Sequence, residues 1–235
     1  MISADNLQAF FKHLEELRSR LVKSAILFFV VGCICYSYVG ELLPYIIAPA
    51  GHLIFTSPGE GFSAYMTLTM VMAAVISSPY IFYHIWAFVS QALKPHEKKF
   101  VSVFGPLSLF FFLLGCAFAY FVAVPMAYRF LMSFSSPYLV PMVTVKSYLG
   151  FLGNMVIAFG VTFELPLILA FLAQIGIATP EFLRQKRRHA IIIILIVSAL
   201  LTPPDIMSML MLAIPLTVLY EVGIIFVKVG YKPRL

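Results

Sequence analysis

The spacing of charged side chains constrains this sequence more than any other feature. No charge occurs between Lys23 and Glu41, between Glu60 and Lys94, or between Lys99 and Arg129. A helix needs about 20 mostly apolar residues to cross about 30 Å of hydrocarbon, so runs of this kind mark bilayer spans. The charges bracket six of them, at residues 24–39, 64–89, 101–124, 148–175, 190–201 and 207–226. Composition agrees, since only 11% of the 235 residues are charged and 62% are hydrophobic, against roughly 25% charged in soluble domains. So few polar side chains cannot cover a soluble globule, whereas lipid accepts an apolar exterior. The expected fold class is an all-α integral membrane protein, one polytopic domain over residues 1–235 with six transmembrane helices.

Orientation follows from the basic residues. Fourteen of the 16 fall before span one or after spans two, four and six, and only Arg129 and Lys146 fall in the alternate loops. Lys and Arg collect in loops that stay cytoplasmic, which puts both termini inside. Those loops account for the net charge of +6, with no nucleic-acid partner implied. Ahead of span one, residues 6–22 set Leu7, Phe10, Leu14, Leu17 and Leu21 at helical spacing among charged positions. That is the pattern of an amphipathic cytoplasmic segment lying on the membrane surface. No small-residue cleavage site follows the first apolar run, so this helix is expected to be retained. The outer loops, 40–63 and 125–147, combine Pro, Gly and aromatics with few charges, which suits structured caps. Span five has about 12 residues and reaches only about 18 Å. Spans five and six are accordingly expected to be short, a bilayer-thinning hairpin or re-entrant pair joined by Thr202-Pro203-Pro204-Asp205.

Little in the sequence supports catalysis. It has no phosphate-binding glycine loop, no HExxH and no GxSxG, and no cofactor or metal site is expected. Cys33, Cys35 and Cys116 lack CxxC spacing and read as packed or lipid-facing thiols. His84 and His189 read as interfacial packing, and Trp86 with Tyr83 as an anchor in the inner aromatic belt. Glu164 stands apart. It lies about 16 Å from the inner end of span four, where an unpaired carboxylate is costly and such residues face protein or water. Pro166 removes the hydrogen bond to the Thr162 carbonyl and should kink the helix beside the acid. The pair points to a concave, partly wet face, or else to a hydrogen-bonded acid that ties helices together. A second constellation joins Glu15, Glu16 and Glu97 with Lys12, Arg18, Lys98 and Lys99. It is either a solvated salt-bridge face or a site for a cationic ligand, because carboxylates accept guanidinium groups bidentately.

Several further motifs run in order along the chain: His13-Leu14-Glu15-Glu16-Leu17-Arg18, Ser57-Pro58-Gly59-Glu60-Gly61-Phe62, Ser78-Pro79 through Trp86 to Glu97, Phe118-Ala119-Tyr120-Phe121, Phe163-Glu164-Leu165-Pro166 and Thr202-Pro203-Pro204-Asp205. Together they resemble the TatC family, the core subunit of twin-arginine protein translocation. Gln91 departs from the family pattern, which has proline there, and His84 stands where relatives often have glutamine. The resemblance implies a receptor for the twin-arginine signal peptides of folded proteins, at the cytoplasmic face of a prokaryotic inner membrane. It also implies TatA- and TatB-type single-span partners in an oligomeric complex, and transport drawing on the proton gradient without nucleotide hydrolysis. By motif, Glu16 and Glu97 contact the signal's arginines, Arg18 shapes that surface, and Glu164 is a polar contact within the membrane. Pro58, Glu60, Phe62 and Asp205 mark outer-loop motifs. The rival reading is a proton-coupled carrier of a small solute using Glu164. It predicts broken helices in matching halves and several midplane polar residues, whereas only Asn154 and Glu164 stand out in span four.

Overall fold

The computed structural model describes residues 4–51, 53–94, 98–136, 138, 140–176, 178–202 and 206–230. They form α1 (Ala4–Ile47), α2 (Gly59–Ala92), α3 (Lys98–Phe118), α4 (Val124–Met132), α5 (Val145–Thr162), α6 (Leu165–Gln174), α7 (Pro180–Gln185), α8 (Arg187–Leu201) and α9 (Ile206–Gly230). A 3-10 turn (Ala48–Ala50) follows α1, and a π-helical turn (Ala119–Ala123) joins α3 to α4. The all-α class expected from the charge spacing holds.

Among the described residues, five helical stretches are long and apolar enough to cross a bilayer: His13–Ala50, Gly59–Gln91, Lys98–Met132, Val145–Gln174 and Met209–Lys228. Between the last two, α8 has 15 residues and reaches about 22 Å, short as expected. The expectation that the sixth helix is also short is corrected, because α9 has 25 residues. Its apolar packing continues past Phe226 to the fully buried Val227 before Lys228 turns polar. Residues 6–22 are helical, as their period requires, but they run without a break into the first span as one 44-residue helix. The second outer loop also shrinks, because α4 carries the helix on to Met132.

Prolines shape these spans. Pro44, Pro79, Pro106 and Pro215 lie inside helices, and each frees the carbonyl four residues before it. At Pro79 the Ser78 hydroxyl donates to the freed Val75 carbonyl at 2.7 Å, the kind of repair a backbone in lipid requires. Pro125 opens α4, and the π-helical turn ahead of it accommodates the missing donor. Pro166 breaks its span outright. The helix stops at Thr162 and restarts at Leu165, leaving Phe163 and Glu164 in the turn between, where the sequence predicts the kink.

The core centres on α5. Half of the apolar window over α5 and α6 is buried in protein, against 11% for α1. Glycines bring α3 against α5: a Cβ on Gly115 would stand 2.5 Å from the Phe159 carbonyl oxygen, and one on Gly160 2.7 Å from the Phe112 ring. In lipid, where apolar burial drives little association, such close backbone approach holds helices together. At the end read as outer, the Tyr120, Tyr128 and Tyr148 hydroxyls donate to the carbonyls of Tyr45 (3.2 Å), Ala50 (3.1 Å) and Ile46 (3.5 Å). The Ile54 N–H donates to the Val143 carbonyl and its own carbonyl accepts from the Val145 N–H, both at 3.1 Å. The two outer loops are thereby joined into a structured cap.

Candidate functional site

Polar side chains concentrate at three levels of the bundle. At the end carrying most basic residues, Glu16 Oε1 accepts from Arg20 Nη2, one turn further along α1, and from Gln91 Nε2 in the last turn of α2. One carboxylate oxygen thus joins two helices. Glu15 and Arg18 are exposed on the same stretch of α1, and His13 meets Phe88 edge-on at 6.0 Å. Just beyond Gln91, the Lys98 N–H donates to the Lys94 carbonyl at 3.2 Å, at the two edges of the connection from α2 to α3. Glu97 falls in that connection and outside the described residues, as does Asp205 in the connection from α8 to α9. Gln91 is the member of this cluster that sequence reasoning missed. Its signal was the departure from the family pattern, since proline has no donor to offer Glu16.

At the opposite end of α2, Glu60 clasps its own approach loop. The Thr56 N–H donates to Oε2 at 2.9 Å and the Thr56 hydroxyl to Oε1 at 2.5 Å, so an acid in the first turn satisfies backbone ahead of the helix. Pro58 stands at the N-cap position of that helix without a side-chain capping bond, and Phe62 is exposed beside it. About 46 Å of helix separates Glu60 from Gln91, so the outer motif and the Glu16 cluster are distinct.

Glu164 lies between these levels and is 7% exposed. Its backbone N–H donates to the Val161 carbonyl at 3.2 Å, and its carbonyl accepts from the Ile168 N–H at 2.8 Å. Its carboxyl oxygen Oε1 is buried without a hydrogen-bond partner. This enclosure replaces the partly wet face expected beside it. A groove of about 530 Å³ does open between α2, α5 and α8, but Thr67, Asn154, Thr162 and Val197 line it. The two polar residues of span four therefore serve different surfaces. Trp86, expected as a belt anchor, is also corrected: it is 8% exposed, enclosed by the Phe104 and Phe171 rings at 5.9 and 5.1 Å. Tyr83, at 67% exposed, remains on the lipid-facing side of α2.

The family described as Sec-independent protein translocase protein (TatC) matches residues 12–215. This chain belongs to the TatC family. The TatC protein of Desulforapulum autotrophicum is 40% identical over 232 residues, covering 96% of this chain and 86% of the relative. That of Carboxydothermus hydrogenoformans is 36% identical, with 98% and 96% covered, and that of Escherichia coli K12 is 34% identical, with 96% and 90% covered. A crystal structure described as the twin arginine translocase receptor TatC superposes with a TM-score of 0.85 at 34% identity, covering 93% of this chain and 99% of that one. Membership in the TatC family favours a translocase subunit over the solute carrier.

Proposed function

We propose that this TatC-family chain is the receptor subunit of a twin-arginine translocase, set in a prokaryotic cytoplasmic membrane with both termini cytoplasmic. It binds the paired arginines of signal peptides on folded cargo through Glu16 and Glu97, with Arg18 shaping the surface. TatA- and TatB-type single-span subunits assemble with it into an oligomeric complex, and Glu164 supplies a polar contact within the membrane. Transport draws on the proton gradient, and the chain hydrolyses no nucleotide.

The observation that carries this reading is the setting of Glu16. Its carboxylate sits at the seam of α1 and α2, already engaged by a guanidinium and an amide. A carboxylate has about four lone-pair sites, so two donors do not exhaust it. An arginine side chain offers five donors in a planar fork that lysine cannot reproduce. The test is a photo-crosslinker placed at Leu93, with a synthetic Arg-Arg signal peptide compared against its Lys-Lys counterpart. Capture of the Arg-Arg peptide should exceed that of the Lys-Lys peptide by about tenfold, the worth of one charge-assisted hydrogen bond. Equal capture of the two rejects the reading.

A further inference from the structure

Two donors converge on a single oxygen at the seam of α1 and α2. Glu16 Oε1 accepts from Arg20 Nη2 on its own helix and from Gln91 Nε2 at the end of α2. A carboxylate only accepts, so the nitrogen of the Gln91 amide faces it and the direction of that bond is set. Each carboxylate oxygen has about two lone pairs, and on Oε1 both are taken. Oε2 meets no donor among the described residues and is not shut in. The acid is therefore half saturated, and its free half is the one an incoming ligand can reach.

An arginine that grips a carboxylate as a fork sends one N–H to each oxygen. One of the present donors must then leave Oε1, and the two are not equal. The Arg20 side chain is only 16% exposed and its Nη1 is wholly buried, so stripping that charge of its counter-ion is costly. Gln91 is neutral and exposed, and water can replace its bond. We propose that Gln91 is a specificity-determining residue: its amide stands where one N–H of the incoming guanidinium would bind, and a signal arginine displaces it to reach both oxygens of Glu16. A lysine ammonium binds as a point charge and finds Oε2 open in either case. Gln91 thereby narrows the margin by which this chain prefers arginine to lysine. A residue without a side-chain donor, such as the proline of the family pattern, leaves a lone pair of Oε1 free. The inference rests on the reading of Glu16 as a contact for the signal's arginines.

Two variants test it. Gln91→Met keeps the length of the side chain and removes its donor. Gln91→Pro installs the residue of the family pattern, and the Ala87 carbonyl it deprives of a partner already accepts from the Ser90 hydroxyl at 2.8 Å. The purified full-length protein is titrated with labelled Arg-Arg and Lys-Lys signal peptides, and the readout is the ratio of their dissociation constants. Both variants should widen the preference for Arg-Arg about three- to tenfold, the effect of one net hydrogen bond, through tighter binding of the Arg-Arg peptide. A glutamine that only ties α1 to α2 would, when replaced, weaken both peptides alike and leave the ratio where it was. That result overturns the proposal, and so does a narrowed preference. Adding Glu16→Gln to Gln91→Met should abolish the gain, because no ionised carboxylate remains for the fork, and a gain that persists overturns the proposal too. If Glu16→Gln alone leaves both affinities unchanged, the underlying reading of Glu16 is defeated instead, whatever Gln91→Met does.

Discussion

Glu16, Glu60 and Glu164 are accommodated in three different ways. Glu16 is held by a guanidinium and an amide, Glu60 by its own loop, and Glu164 is enclosed with Oε1 left without a donor. The depth of Glu164 and the motif around Glu16 were legible in the sequence, because charge in an apolar run is conspicuous. The partner of Glu16 was not. Gln91 is uncharged and unremarkable in composition, and only a folded chain brings it to Glu16. Trp86 was misread for a related reason: its amphipathic ring suits an interface and a buried hydrogen bond equally well. Glu97, which the motif places with Glu16, carries the prediction at this scale. Glu97→Gln keeps the size of the side chain and removes its charge, so the affinity for a twin-arginine signal peptide should fall about ten- to a hundredfold. Titration of the purified protein with a labelled peptide measures this, with normal membrane insertion as the control. Unchanged affinity would move the site elsewhere.

Among the elements, the spans were readable and their ends were not. Charges report where lipid stops, whereas a helix continues as long as its backbone bonds and caps allow. That is why α1 extends through the amphipathic segment and α4 prolongs the third span into the expected loop. The break at Pro166 was legible because a missing donor is local chemistry. Helix pairing was not legible, and the contact of α3 with α5 shows it well. Gly115 lies so close to the Phe159 carbonyl that a single methyl group there forces the helices apart, while a Cβ on Gly150 meets nothing within 4 Å. Gly115→Ala should therefore destabilise the protein by about 1–3 kcal/mol, as overpacking does, and Gly150→Ala should be close to neutral. Thermal unfolding of both variants in the same detergent separates them. Equal midpoints would mean that the contact yields more easily than its geometry implies.

The whole molecule is a six-helix bundle with polar clusters at both ends and one enclosed acid between them. Its orientation is testable in a background where Cys33, Cys35 and Cys116 are replaced by alanine. Gly59→Cys and Ser136→Cys should react with an impermeant thiol reagent only from outside, and Pro95→Cys and Gln185→Cys only from inside. Labelling of Pro95→Cys from the outer face would rule out the six-span arrangement. The sequence by itself determined the solvent in which this protein folds, the position of its spans, the helix break, and the acid that had to be enclosed. Each of these depends on the transfer preference or backbone chemistry of residues taken one stretch at a time. Only the tertiary structure decided which helix faces which, that Glu16 pairs with Gln91, and that Asn154 lines the groove while Glu164 is enclosed. In a chain apolar on nearly every helical face, hydropathy does not set the rotation of one helix against the next. Glycine contacts, proline breaks and a few hydrogen bonds set it, and they act only once the helices are together.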